Sequence, residues 1–399
     1  MSIATAESSP EISETSDDQA RISLDEISIR DFRNLERVDL RLPADGAVII
    51  GDNGHGKTNL LEAICYLQIL RSTRDARDQD LTRFDTSGFH ISAHAHTPRV
   101  KEIAIGFARD TKRKKVSIDG SEVRRLSDAL GALPSVMFSP RDLELISGAP
   151  TERRRYLDLV LALTDRKYLY ALQHYRANLT RRNAALRHAT RRGAASNEAQ
   201  VSVWEPALAE HGSVLTERRA KWVEDSAADF SRLLKAIGET GDAKMRYLSP
   251  FAESEARYDV LLAAFEEKRA LDMKRGLTHV GPHRDDIELT LEGRDLRVFG
   301  SAGQQRSAAI ALRMLEASTL RSYSGAEPVL LLDDPFAELD VRRAGRIQLM
   351  LEERGLGQTI LTVPREADIP PGLAGLDRLS IRNGEVHLRI SPLAGHTST

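Results

Sequence analysis

From Ile22 onward, apolar and polar residues alternate with period two in ISLDEISIR and again in VDLRL, the pattern of strands with one face against a core. AVII, at Ala47 to Ile50, breaks that alternation. Four consecutive apolar residues suit a short strand buried on both faces at the centre of a sheet, and a helical pattern from Asn59 to Leu70 follows it. HISAHAHT, EIAIGFA and KKVSI resume the alternation between turn residues and predict an antiparallel β lobe. Over 150–276 the chain is rich in Ala, Leu, Arg and Glu at helical spacing and poor in glycine, which predicts a compact α-helical lobe inserted into an α/β unit. Strand patterns return at Asp286 to Phe299, Pro328 to Leu332 and Gln358 to Val363, with a helical pattern after each of the first two. Leu379 to Arg382 and Glu385 to Ile390 flank Asn383-Gly384, a strong hairpin turn. Residues 1–20 hold five acids and no Lys or Arg and read as a disordered acidic tail. The predicted division is therefore 1–20 tail, 21–149 first half of the α/β unit with the β lobe, 150–276 helical lobe, and 277–399 second half.

GDNGHGKT, Gly51 to Thr58, sits between the buried strand and the helix and satisfies G-x-x-x-x-G-K-[ST]. Gly51, Gly54 and Gly56 let the backbone curl so that N–H groups, with Asp52, Asn53 and His55 between them, point at phosphate oxygens. The helix that follows adds the positive end of its dipole. Lys57 supplies a cation for the β and γ phosphates, and the Thr58 hydroxyl is a Mg²⁺ ligand. The second site is VLLLDD, an apolar strand ending in two carboxylates: Asp333 is placed to hold Mg²⁺, and Asp334 to polarise an attacking water. About 275 residues separate Lys57 from Asp333 and no N-K-x-D guanine-reading motif is present, which favours ATP.

GSAGQQRSAAIALRML, Gly300 to Leu315, is a small-residue turn with Ser301 at a helix N-cap, leading into an apolar-periodic helix. Ser301, Ala302, Gly303 and Gln304 resemble the S-G-G-Q signature of ATP-binding-cassette ATPases. In those proteins this turn of one protomer clamps the γ-phosphate held by the other. AELD, ending at Asp340, resembles the D-loop at the same seam.

At 399 residues and 41% hydrophobic content the chain can build a substantial core. No run approaches the ~18 apolar residues of a membrane span, and no secretory signal opens the chain, so a cytoplasmic protein is expected. Cys65 is the single cysteine, which excludes an intramolecular disulfide, and its apolar neighbours suggest a buried, inert side chain. A net charge of −2 gives no global attraction to a polyanion, so any such partner needs a local basic surface. Thr151 to Gly193 provides one, with eleven Lys or Arg against three acids and Tyr168, Tyr170 and Tyr175 interleaved. Arg153, Arg154, Arg155, Arg176, Arg181 and Arg182 are the candidate contacts to the phosphates of a polyanion such as DNA, with little sequence preference, and a solvated helix face is the alternative reading. His279 and His283 in THVGPHRDD lack an evident third ligand and make a weak metal site.

IRDFRNLERVDL, GDNGHGKTNLLEAI, FSPRDLELISGAPTERRRYLD, HVGPHRDDIEL, FGSAGQQRSAAIALR and LLLDDPFAELD together resemble the RecF family of DNA repair and replication proteins, relatives of the ATPase heads of structural-maintenance-of-chromosomes proteins. The resemblance implies an ATP-binding-cassette-type ATPase head that binds ATP and Mg²⁺, dimerises on ATP, hydrolyses it slowly and binds DNA. It further implies action with RecO and RecR in loading RecA at gaps. The inserted lobe has no sustained heptad, so long coiled-coil arms are excluded. Another ATPase head of the chromosome-maintenance type and a soluble transporter ATPase subunit stand as alternatives. Residues 341–399 are too few and too poor in paired acids for a nuclease domain.

Overall fold

The first two alternating stretches pair as an antiparallel hairpin, β1 (Ser23–Phe32) and β2 (Leu35–Arg41), in a computed structural model that describes residues 21–192, 198–335, 341–353 and 357–388. The acidic tail and the AELD segment with Asp340 lie outside the described residues. β3 (Gly46–Ile50) is buried at every position, as its unbroken apolar run requires, and leads through the glycine loop into α1 (Lys57–Ile69). β4 (Gly88–His96), β5 (Glu102–Ala108), β6 (Arg113–Ile118) and the short β7 (Ser121–Glu122) extend the hairpin into a six-stranded antiparallel sheet of order β2-β1-β4-β5-β6-β7. Along β4 the pattern turns Phe89, Ile91, Ala93 and Ala95 into the core and leaves their neighbours outside.

After β8 (Ser135–Phe138) the chain runs through the helices α2 (Pro150–Thr164), α3 (Arg166–Arg192), α4 (Glu205–Ile237) and α5 (Arg257–Arg275). β9 (Ala243–Leu248) lies between α4 and α5; β10 (Asp286–Leu291) and β11 (Arg294–Asp295) follow and pair as β11-β10-β9. Then come α6 (Ala302–Ser324), β12 (Val329–Asp333), α7 (Val341–Glu353), β13 (Thr359–Val363), and the hairpin β14 (Asp377–Arg382) with β15 (Glu385–Leu388). The Asn383-Gly384 turn has both residues at positive φ, 50° and 86°, as a two-residue hairpin demands.

The central sheet has the order β15-β14-β3-β13-β12-β8, with β14, β3, β13, β12 and β8 parallel. Its two faces are read from alternate residues of the same strands. Ala47 and Ile49, with Leu331 and Ile360, pack with α1 and the antiparallel sheet. Val48 and Ile50, with Leu330, Leu332, Leu361 and Val363, pack with residues of α2, α4 and α6. The parallel order also gathers the carboxyl ends of β3, β13 and β12 at one edge, which is where ligands bind in open α/β sheets.

Two features depart from the sequence expectation. The helical stretch is interrupted by β9, which pairs antiparallel with β10 beyond the stretch. Its residues AKMRYL do alternate, after a break at Gly238 and Gly241, but the strand is short and follows a 33-residue helix that dominates any periodicity. The helices also share one core with the central sheet instead of enclosing their own, because α2 and α6 each have one apolar face turned to it. β8 passed unnoticed as well, since a four-residue apolar run carries little periodic signal.

Candidate nucleotide site

The glycine loop begins where β3 ends at the sheet's carboxyl edge. Gly56 is the N-cap of α1 at φ 109°, and a β-carbon there would meet the Asn34 side-chain oxygen at 2.9 Å, so turn geometry and close approach both require glycine. Asp52, Asn53 and Gly54 are exposed while Gly56 and Lys57 are buried. Two turns from elsewhere in the chain hold the loop. Asn34, in the β1–β2 turn, donates to the Gly54 carbonyl and accepts from Asn59. In the β14–β15 turn, Asn383 N–H donates to His55 Nδ1 and Gly384 N–H to the His55 carbonyl, each at 2.9 Å. Sequence reasoning found the hairpin but not its partner, because a contact across 328 residues leaves no local pattern.

The Lys57 ammonium lies within the loop and donates to the carbonyls of Gly51 and Asp52. Burial pushes it below its ordinary pKa, and the carboxylates of Asp333, Asp334 and Asp52 oppose that shift. Thr58 Oγ1 donates to Asp333 Oδ2 at 2.8 Å, and Thr362 Oγ1 donates to Asp333 Oδ1 at 2.8 Å. Thr362 was missed in the sequence, where LTVP reads simply as a buried strand end. A hydroxyl and a carboxylate in contact at a phosphate-cradling loop form a hard-oxygen donor set, which fits Mg²⁺ completed by phosphate oxygens and water.

Asp334 follows at φ 47°, a left-handed conformation that costs about 1–3 kcal/mol for a non-glycine residue. Its N–H donates to the Thr362 carbonyl at 3.1 Å, which fixes the peptide beside the buried strand. Burial pushes its carboxyl above the usual carboxylate range, and repulsion from Asp333 and Asp368 adds to this against the pull of Lys57 and Arg306. A raised carboxyl beside a metal-binding carboxylate is suited to accept a hydrogen bond from water.

Ser301 caps α6 in a reciprocal box: its hydroxyl accepts from the Gln304 N–H, and the Gln304 side chain accepts from the Ser301 N–H. Ser301 and Ala302 are exposed, Gly303 and Gln304 half-buried. Among the described residues no hydrogen bond joins this turn to the glycine loop of its own chain.

The basic segment divides. Arg153 is buried, with a bidentate pair to Asp286 and bonds to the carbonyls of Leu145, Ile146 and Gly148. Arg182 is fully buried between Glu205 and Asp272. Neither can meet a DNA phosphate, which corrects the sequence expectation for both: Arg153 ties α2 to the start of β10, and Arg182 ties α3 to α4 and α5. Arg154 and Arg155 are half-buried, whereas Arg176 and Arg181 are exposed. Of the interleaved tyrosines, Tyr168 and Tyr175 are buried and Tyr170 is exposed. His279 pairs with Asp272 and His283 with Tyr175, so both rings are engaged within the fold. Burial pushes the Cys65 thiol up to about 12, which leaves it protonated and unreactive.

Residues 23–369 match the RecF/RecN/SMC N terminal domain family. The DNA replication and repair protein RecF of Herpetosiphon aurantiacus is 35% identical over 381 residues, spanning 90% of this chain and 97% of its own. Its counterpart in Chloroflexus aurantiacus is 36% identical over 389 residues, spanning 90% and 97%. A solved structure of the recombination mediator protein RecF with ATP, of the RecFOR pathway, superposes with a TM-score of 0.84 at 30% identity, covering 93% of this chain and 98% of that one. An Smc head domain from Pyrococcus furiosus shares the fold alone, with a TM-score of 0.52 at 17% identity. Among the described residues no helix is long and apolar enough to cross a membrane. The likeness runs through nearly the whole sequence and through the sheet that carries the glycine loop, and the chain therefore belongs to the RecF family of DNA replication and repair proteins.

Proposed function

We propose that this protein is an ATP-dependent DNA-binding protein of recombinational repair and replication restart, working in the cytoplasm, in which ATP joins two copies around duplex DNA. The observation that carries this reading is the contact between Thr58 and Asp333 directly below a loop whose lysine is already turned into it. Thr58 and Asp333 would hold Mg²⁺, which neutralises charge on the β and γ phosphates. Lys57 leaves the Gly51 and Asp52 carbonyls for the phosphates, and loop N–H groups share the charge. Asp334 orients the attacking water. Ser301, Gly303 and Gln304 act on the nucleotide of the second copy; that their turn is exposed and unattached to its own loop supports the division of labour.

Family likeness supports slow hydrolysis as a timing switch, and partnership with RecO and RecR in loading RecA at gaps. Arg154, Arg155, Arg176 and Arg181 supply the DNA-facing charge in this scheme. Sedimentation with ATP, ADP or no nucleotide, with and without gapped duplex, tests it. The expected result is a dimer with ATP and hydrolysis that depends on protein concentration; a chain that stays monomeric in saturating ATP, Mg²⁺ and DNA overturns it.

A further inference from the structure

Arg71, just past the end of α1, has no hydrogen-bond or ion-pair partner among the described residues, although it is partly buried. The contrast with Arg74, three residues on, is sharp. Arg74 and Arg33 both grip the buried carboxylate of Glu62. Arg71 instead lines a cavity of about 410 Å³ between the segment after α1 and the helices α2, α3 and α4, together with Arg154, Arg155, Arg176 and Arg219. Among the described residues Asp158 is the only acid in the lining, and its two oxygens are taken by Arg219 and Arg176. Arg155 leans on Asp75 at the rim. His283 adds no charge at neutral pH, because burial lowers its pKa to about 4. Burial and the neighbouring guanidinium groups of Arg155 and Arg176 both disfavour the charged form of Arg71, and Asp158 and Asp75 offset this only in part.

A guanidinium held near others of like charge without a carboxylate of its own is a costly arrangement unless an anion enters. The mouth is accessible, since the Arg155 and Arg176 side chains are 40% and 54% exposed. We propose that this cavity is a seat for one phosphodiester group of the DNA backbone, with Arg71 as its principal ligand and Arg155 and Arg176 at its rim. The assignment rests on the DNA-binding reading above and gives it a defined subsite. A bent backbone or a strand end could place a phosphate in a recess that a straight duplex would pass over, so gapped duplex is the appropriate probe.

The test is fluorescence anisotropy of a labelled gapped duplex with the full chain and ATP, titrated at several salt concentrations. Arg71→Ala, which breaks no ion pair, should weaken binding on the order of tenfold and flatten the slope of log affinity against log salt by about one. Arg71→Lys should restore most of the slope, ATP affinity should be unchanged in both variants, and Arg232→Ala, on an exposed surface outside the cavity, should change the slope far less. Parental slope and affinity in Arg71→Ala overturn the subsite while leaving the DNA reading intact. If the parent binds no duplex at all, both fall. If duplex binding survives Arg71→Ala but calorimetric binding of inorganic phosphate is lost, the cavity takes a free anion and the DNA assignment is overturned.

Discussion

Thr58 Oγ1 donates a 2.8 Å hydrogen bond to Asp333 Oδ2 across 275 residues of sequence. Thr58 opens α1 just past β3 and Asp333 ends β12; β3 and β12 are not neighbours, since β13 lies between them, and its Thr362 holds the other oxygen of Asp333. Three parallel strands ending at one edge thus fix a carboxylate from two sides before any nucleotide arrives. In an active site such prior orientation removes reorganisation that would otherwise accompany metal binding.

Thr362→Val tests that fixation. The replacement is nearly isosteric at a fully buried position, so the strand should persist while one donor to Asp333 is lost. The Mg²⁺ concentration that half-activates ATP hydrolysis should rise about 10- to 100-fold, the range for removing a group that orients a metal ligand. An unchanged Mg²⁺ titration would show that Thr58 alone suffices.

Asp334→Asn should slow hydrolysis by about 10²–10⁴-fold, with ATP still bound and the dimer trapped, if the carboxylate positions the water. The pH behaviour is a separate check. Because the folded-state pKa of Asp334 is raised, its charge costs stability at neutral pH, and that cost is relieved as pH falls through the folded pKa. Thermal melts should therefore find Asp334→Asn more stable than the parent near neutrality, with the difference shrinking towards acid pH. A parental advantage at pH 7 would mean that the charge is stabilised by contacts this site does not show.

The strand-loop-helix around Lys57 and the carboxylates at the end of β12 were legible because each is a local pattern with a local cause: an unbroken apolar run, glycines where a phosphate approaches, an acid at a strand end. What escaped were relationships between distant segments. Thr362 and Asn34 look ordinary in sequence, and only the sheet order and the stacking of turns give them partners. Arg153 and Arg182 were misread for the same reason. An arginine buried by Asp286, or by Glu205 and Asp272, has the same sequence signature as one on a solvated face, since its countercharges lie in other segments. Arg71 shows the converse, a charge with no hydrogen-bond or ion-pair partner among the described residues, which no sequence pattern marks.

Arg182→Ala should unfold the protein more readily and without specificity for DNA. Removing the guanidinium leaves Glu205 to Arg269 alone and Asp272 to His279, both carboxylates deeply buried. Breaking a buried pair of this kind costs about 3–5 kcal/mol, which for a chain of this size lowers Tm by roughly five degrees. Its neighbour Arg181, exposed and resting over the Trp204 ring, should be replaceable by Ala with almost no loss of Tm. Equal Tm losses in the two variants would contradict the division between internal and surface arginines.

The carboxyl-terminal hairpin should matter to nucleotide binding although it touches no phosphate in this scheme. Gly384 has φ 86°, and a β-carbon there would lie 2.2 Å from the Asn34 carbonyl oxygen. Gly384→Ala therefore strains the turn and pushes it from the β1–β2 turn, at a cost of more than about 1 kcal/mol. The same displacement withdraws the two N–H groups that hold His55, and the loop must then be ordered by ATP itself. Ordering a loop at the moment of binding reduces affinity, so ATP should bind several-fold more weakly, while Gly120→Ala, at a positive-φ turn in the antiparallel sheet with open space around it, should cost stability without touching ATP affinity. Fluorescent-nucleotide titration of both variants decides the matter: equal ATP affinity in Gly384→Ala and the parent would remove the hairpin from any role in shaping the loop.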